Sequence, residues 1–418
     1  MTTASSNIPG LKQNWQQFSL LVLINAFVGG MVGLERTILP EIAETEFGIA
    51  AKTAIFSFII VFGITKALAN YFAGRFAQKF GRKKMLIAGW LFGIPVPFIL
   101  MLAPDWNWIV AANVLLGINQ GLAWSANVIM KIDIAGEKDR GLAMGLNEFS
   151  GYLAVAVIAF LTGWVASEYG LRPYPFYVGI FMAALGLLMS IFLVRDTAPF
   201  VEHESRNHKE DRVKKNLFWE VSFRDSNLRA ISQGGMITNF TDGLAWGAFP
   251  IFLGASGLSL TEIGIVVGIY PAFWGILQIA TGKLSDYTSR KKMLWGGMLL
   301  QALSLIAFPM VEQFFAFAII SALLGTGTAM VYPTFLAAVA DLTHPEDRAE
   351  SIGIYRLWRD AGYAFGAIFS GVIADLFDIS MAITLTGYLT LLSTLWLVIG
   401  LKKLNKPVSS TEEFTFQK

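Results

Sequence analysis

Eight ionisable residues stand inside long apolar runs of this 418-residue chain: Glu35, Arg36, Lys66, Glu148, Asp242, Arg356, Arg359 and Asp360. A charge at the centre of a bilayer costs about 2.5–3.5 kcal/mol or more, so such groups are normally retained for pairing, for binding an ion or for carrying a proton. Arg356 and Asp360 stand four apart and are expected to pair along one helix face. Proton handling needs a carboxylate whose affinity burial raises and a nearby cation lowers; Glu35, Asp242 and Glu148 are the candidates, in that order. Polar and aromatic side chains accompany them. Asn113, Gly117, Gln120, Trp124, Asn127 and Lys131 follow at steps of 4, 3, 4, 3, 4, which makes one continuous helical face. Gln120, Trp124 and Asn127 of that face are expected to line a cavity, together with Asn25, Arg36, Asn239, Asp242, Trp246 and Tyr332. The intervening glycines, Gly117 and Gly121, read as sites of close helix packing.

The elements that carry these residues are set by composition. Hydrophobic residues make up 55% and charged residues 15% of the chain, against soluble averages of about 45–50% and 25%. The mean hydropathy of +0.56 agrees. A soluble globular protein is excluded, and lipid must solvate much of the surface. Runs of sufficient length occur at 18–40, 54–74, 85–103, 107–130, 141–167, 174–194, 230–254, 261–282, 293–311, 313–340, 350–374 and 378–400. Each is read as a helix, because an open sheet would leave backbone groups unpaired in hydrocarbon. Of the 32 lysines and arginines, 26 fall in one alternate set of loops and the termini, and two in the opposite set. That asymmetry predicts a cell-membrane protein, inner or plasma membrane, with both termini cytoplasmic. The first run is long enough to span, so no cleavable signal peptide is expected.

Other functions are disfavoured. A near-neutral charge of +2 offers no concentrated basic face for a nucleic acid. Zero cysteines remove disulfides, thiolate catalysis and sulfur-ligated metals. His203 and His208, with Glu202 and Glu204, read as a solvated linker rather than a metal site. No Gly-x-x-x-x-Gly-Lys-Ser/Thr loop is present for ATP, no catalytic constellation is evident, and no cofactor is implied. The expected division is 1–194 for a first six-helix half, 195–229 for a cytoplasmic linker holding an interfacial helix near 217–224, 230–401 for a second half, and 402–418 for a disordered tail.

The halves repeat. Gly74-Arg75-Phe76-Ala77-Gln78-Lys79-Phe80-Gly81-Arg82-Lys83-Lys84 returns at an offset of 208 as Gly282-Lys283-Leu284-Ser285-Asp286-Tyr287-Thr288-Ser289-Arg290-Lys291-Lys292. The same offset places Asp133 on Asp341, Arg140 on Arg348, Gly145 on Gly353 and Glu148 on Arg356. An even number of helices between copies makes the repeat parallel, with its axis along the membrane normal and a crevice between halves. The duplicated loop resembles the signature of the major facilitator superfamily, and the segment Leu34 to Pro40 is similar to a pattern many members carry in span one. There are three departures: Gln78 replaces the usual Asp, Asn113 stands where many proton antiporters have Arg, and span five lacks the Gly-Pro element of drug antiporters.

The resemblance implies an all-α fold of twelve transmembrane helices in two pseudo-symmetric halves, working as a rocker-switch secondary transporter. Spans 1, 4, 7 and 10 would line its cavity, with 2 packed on 11 and 5 on 8. Lys66 would then face Asp360 or Arg356 across the halves and gate the path. Gly74 and Gly282 would allow close approach, while Arg82, Arg290, Asp133, Asp286 and Asp341 would hold the cytoplasmic side closed. A monomer that moves a small anionic or zwitterionic solute, coupled to protons, is the expectation. Proton-driven efflux of amphipathic cations is the alternative; a non-transporting sensor is the alternative of another class.

Overall fold

The computed structural model describes residues 9–36, 38–48, 52–207, 216–258, 260–402 and 404. Twelve long helices follow one another: α1 (Trp15–Arg36), α2 (Lys52–Phe80), α3 (Arg82–Leu102), α4 (Trp106–Ala135), α5 (Arg140–Tyr169), α6 (Tyr174–Phe192), α7 (Ser226–Ala255), α8 (Leu260–Tyr287), α9 (Arg290–Ala307), α10 (Phe314–Leu342), α11 (Pro345–Leu376) and α12 (Ile379–Gly400). No strand occurs among the described residues. Among the described residues, ten of these helices are long and apolar enough to cross a membrane. The other two are α7 and α11, and α11 carries Arg356, Arg359 and Asp360 at mid-length.

Local chemistry sets the ends. Asp105, Asp225 and Asp378 accept backbone N–H bonds at the starts of α4, α7 and α12, satisfying donors that a helix cannot satisfy itself. Hydropathy ends a run at the first charges, whereas a helix needs only its own backbone bonds. So α2, α4, α8, α10 and α11 continue past their predicted limits at the end of the bundle that bears the basic loops, by up to six residues. The first run shows the opposite: α1 stops at Arg36, and a short helix Leu39–Thr45 restarts with Pro40 in its first turn. In α4 the residues Gln120–Trp124 form a π turn, which breaks the continuous face expected from 113 to 131.

Packing repeats with the sequence. Helix α1 packs on α5 as α7 packs on α11, and α2 on α4 as α8 on α10. The halves meet along two seams, α2 against α11 and α5 against α8. Repeat-related glycines meet crosswise at both. A Cβ on Gly282 of α8 would stand 2.9 Å from Cα of Gly145 on α5, and one on Gly353 of α11 would stand 3.1 Å from Cα of Gly74 on α2. Both distances are below ordinary contact, so only hydrogen fits. Gly282→Val and Gly353→Val are therefore expected to destabilise the protein by about 1–3 kcal/mol through overpacking. Gly275→Ala, whose Cβ would meet nothing within 4 Å, should stay within about 0.5 kcal/mol. Thermal unfolding of the purified variants checks this, and equal melting of all three would contradict a close-packed seam.

Candidate functional site

The seams leave a central space midway along the helices. A small chamber of about 70 Å³ is bounded by Lys66 of α2, Trp124 of α4, Asn239 and Asp242 of α7, Tyr332 of α10 and Asp360 of α11. It adjoins a vestibule of about 570 Å³ that extends away from the basic end, past Phe58, Tyr152, Leu153 and Trp274, to Glu35 and Asn113. Phe62, Tyr152, Trp274 and Tyr363 border both spaces.

Every carboxylate at mid-depth is held by hydrogen bonds from other residues. Asp360 accepts from Arg359 Nε at 2.9 Å, from Asn239 Nδ2 at 3.1 Å and from Asn70. Asp242 accepts from the Tyr270 hydroxyl, and Tyr332, whose hydroxyl donates to Asn239, lies 3.3 Å from it. Glu148 accepts from Trp124 Nε1 at 3.2 Å and Asn147 Nδ2 at 2.7 Å, while its Oε2 is buried without a partner. The cations are matched less well. Lys66 makes no hydrogen bond or ion pair among the described residues. Its ammonium stands 5.6 Å from the Phe62 ring centroid and 5.5 Å from that of Trp124. The Arg356 guanidinium is fully buried and all three of its nitrogens lack a partner. Three cations, Lys66, Arg356 and Arg359, thus stand with the three carboxylates between the halves, and of the three only Arg359 is ion-paired.

The sequence matches the family model described as Major Facilitator Superfamily over residues 19–241 and again over 231–417. The chain belongs to the major facilitator superfamily. Its curated relatives include the multidrug resistance protein MdtG of Salmonella heidelberg (strain SL476), 22% identical over 395 residues covering 92% of this chain and 95% of that protein. MdtG of Escherichia fergusonii is 22% identical over 94% of this chain and 97% of its own. Among solved structures, the human organic anion transporter MFSD10 superposes with a TM-score of 0.71 at 14% identity, covering 91% of this chain and 99% of that one. The proton:xylose symporter XylE superposes with 0.70 at 17%, covering 92% and 96%. The protein is a multi-pass membrane transporter of this superfamily, with the superfamily's fold.

Within that fold the candidate residues separate. Trp124, Asn239, Asp242, Tyr332, Lys66 and Asp360 come together at the chamber, and Glu35 reaches the vestibule, where Asn113 Nδ2 donates to it at 3.1 Å. Three cavity candidates lie elsewhere. Asn25 donates to the Asn147 carbonyl at 2.8 Å and Gln120 to the Val28 carbonyl at 2.7 Å, so both tie helices together. Asn127 donates to Ala123 within its own helix. The π turn accounts for the separation of Gln120 and Asn127 from Trp124, since it rotates the lower part of α4 against the upper. The side chains of Arg36, His203 and Trp246, and residue His208, lie outside the described residues. The expected Arg356–Asp360 pair is not formed, because the adjacent Arg359 takes the carboxylate. Nor does Lys66 pair with Asp360; the two face one chamber.

Two residues of the site were missed, Tyr152 and Trp274, whose rings lie 4.1 Å apart between centroids. A signal for them exists. At the offset of 208, Trp274 is the repeat mate of Lys66 and Tyr152 that of Asp360. One seam therefore bears a charged pair where its counterpart bears an aromatic pair.

At the basic end the signature loops close the structure, but the arginine pairs expected to do so lie within halves. Arg82 Nε meets Asp133 at 3.2 Å inside the first half, and Arg290 meets Asp341 inside the second. Asp341 also crosses, meeting Arg140 of α5 at 3.1 Å, and Arg75 of α2 meets Glu350 of α11 at 2.7 Å. Asp286 accepts the Gly141 and Leu142 N–H groups of α5 at 2.8 and 2.9 Å, whereas Gln78, its repeat mate, donates to the Glu346 carbonyl at 2.7 Å. Glu204, on a helix Ala198–Asn207 inside the expected linker, bonds Arg140 of α5 at 2.6 Å and Arg348 of α11 at 2.8 Å. One carboxylate so joins two repeat-related arginines from opposite halves. Burial opposes its charge, yet Arg348 and Arg140 outweigh burial and hold its carboxyl at about 2, below the usual 4.5. The folded value is the lower one, so this stabilisation is complete above about pH 4.5 and is lost as pH falls towards 2. Glu204→Gln is expected to lower the stability at pH 7 by no more than about 3 kcal/mol, read as a lower melting temperature. Its deficit against the unaltered protein should shrink between pH 5 and pH 3; a deficit constant over that range would refute the clamp.

Proposed function

We propose that this protein carries an organic anion or zwitterion across the cell membrane by alternating access, driven by protons. The observation that carries the reading is the pairing at mid-depth: Asp242, Glu148 and Asp360 each accept hydrogen bonds, while Lys66 and Arg356 make no direct ion pair. A carboxylate or phosphate of the solute would supply one, and desolvated charge-assisted bonds of that kind are strong. Likeness in fold to a structure titled as an organic anion transporter supports the same class.

In this state the path is shut at the basic end and open beyond the chamber. With the basic loops in the cytoplasm, as their charge implies, the conformation faces outward. The unpartnered Oε2 of Glu148, buried beside Trp124, suits a carboxyl that binds a proton; Asp242 and Glu35 are the other candidates. Lys66 and Asp360 are expected to pair in the opposite state, when no solute separates them. A second reading, efflux of amphipathic cations, is favoured by the curated relatives named for multidrug resistance and by the rings of Trp124, Tyr152, Trp274 and Tyr332 around the chamber.

A thermal-shift screen of the purified protein against carboxylates, zwitterions and lipophilic cations decides between them. Anions or zwitterions should stabilise it and cations should not. Lys66→Gln is expected to weaken anion binding about tenfold or more, Lys66→Arg much less. Uptake into vesicles should depend on a pH gradient and lose that dependence in Glu148→Gln; uptake indifferent to the gradient would end the proton-driven reading.

A further inference from the structure

The vestibule does not stop at the crevice between the halves. Two of its lining residues, Leu153 of α5 and Ile276 of α8, are 45% and 64% exposed. Each belongs to an apolar stripe on the outside of the bundle. Leu153 begins the series Val157, Phe160 and Trp164 at helical spacing, and Ile276 follows Ile265 and Phe273 and precedes Leu284. None of these neighbours lines the vestibule. The cavity therefore reaches the lateral, lipid-facing surface between α5 and α8, near the middle of the bundle. Gly268 and Gly275 of α8 leave it wide there, since a Cβ on either would meet nothing within 4 Å. At its inner end, across Phe62, Tyr152 and Trp274, lies Lys66.

Resting on the anionic reading above, we propose that the substrate is an anionic amphiphile that enters sideways from the bilayer between α5 and α8. Its charged head reaches Lys66 through the chamber mouth, and its chain stays in the apolar vestibule. The asymmetry of the seams fits such a molecule: charge on the α2–α11 side, paired rings of Tyr152 and Trp274 on the α5–α8 side. A small hydrophilic anion would leave the apolar walls of the vestibule against water, with nothing gained from their burial.

The chain contains no cysteine, so Ala272→Cys places a single thiol in the vestibule wall. In the full-length protein in lipid nanodiscs, dodecanoate should slow modification of that thiol by N-ethylmaleimide at least tenfold at a free aqueous concentration where butanoate and dodecanol do not. The chain contributes because each buried methylene adds roughly fourfold to affinity from water. Adding Gly275→Leu or Gly268→Leu, either of which fills the space, should remove the protection. A nitroxide on the same cysteine should collide more with oxygen than with a water-soluble nickel chelate. Equal protection by butanoate would leave the anionic reading and overturn the amphiphile. Equal protection by dodecanol or dodecylammonium would overturn the anionic reading beneath it. Greater access for the nickel chelate would show a water-filled vestibule and defeat entry from the bilayer.

Discussion

Charge held away from water organises the middle of this bundle, because each ionised group there must find a partner or bear the cost of desolvation. The acids find theirs across helices. Asp360 of α11 draws on Asn70 of α2 and Asn239 of α7, Asp242 of α7 on Tyr270 of α8, and Glu148 of α5 on Trp124 of α4. Each bond ties two or more helices at the same depth. Apolar packing alone gives weak direction in a membrane, where lipid tails are as apolar as leucine; the carboxylates give these helices a rotational register. Their satisfaction by Tyr270, Trp124, Asn147, Asn70, Asn239 and Arg359 also leaves Lys66 and Arg356 without a direct ion pair.

The duplicated sequence supplies the frame in which that arrangement arises. Gly74 against Gly353 and Gly145 against Gly282 make two matched seams at which the halves touch backbone to backbone. On that symmetric frame, the residues at the functional depth have diverged. Lys66 and Asp360 occupy the places that Trp274 and Tyr152 hold on the other side, and Gln78 holds the place of Asp286. Divergence reaches the basic end as well: Asp286 caps the first turn of α5 with two charge-assisted bonds, while on the other seam Gln78 gives α11 one neutral bond and Arg75 pairs with Glu350. Glu204 bonds both repeat-related arginines at once.

Periodicity, hydropathy and the 208-residue repeat made the twelve helices legible, since these follow from local sequence and from the need to satisfy backbone groups in lipid; which helices form the two seams came from the family resemblance. Depth along a helix was legible too, so Lys66, Asp242 and Asp360 come out at one level. Rotation was not. A single π turn at Gln120–Trp124 sends Gln120 to α1 and Trp124 to the chamber, and the spacing of polar residues carries no mark of it. Pairing was equally hidden: Arg356 and Arg359 are both spaced to reach Asp360, and the choice between them depends on Asn70 and Asn239 arriving from other helices. Glu204 was read as linker because its two arginines lie 64 and 144 residues away in the chain.

The same accounting bears on why a carrier of the proposed kind would move only when loaded. For the open side to shut, the vestibule must collapse, and a closed chamber strengthens every uncompensated charge in it. With the chamber empty, Lys66 would be enclosed without an ion-pair partner, so shutting is opposed. A bound anion removes that penalty and permits the halves to rock. The return without solute needs another anion for Lys66, and Asp360 is the carboxylate across the same chamber; drawing it away from Arg359 and Asn239 loosens the α7–α11 contact. Solute and Asp360 would then compete for one ammonium group, and that competition is sufficient to couple occupancy of the chamber to which end of the bundle is open.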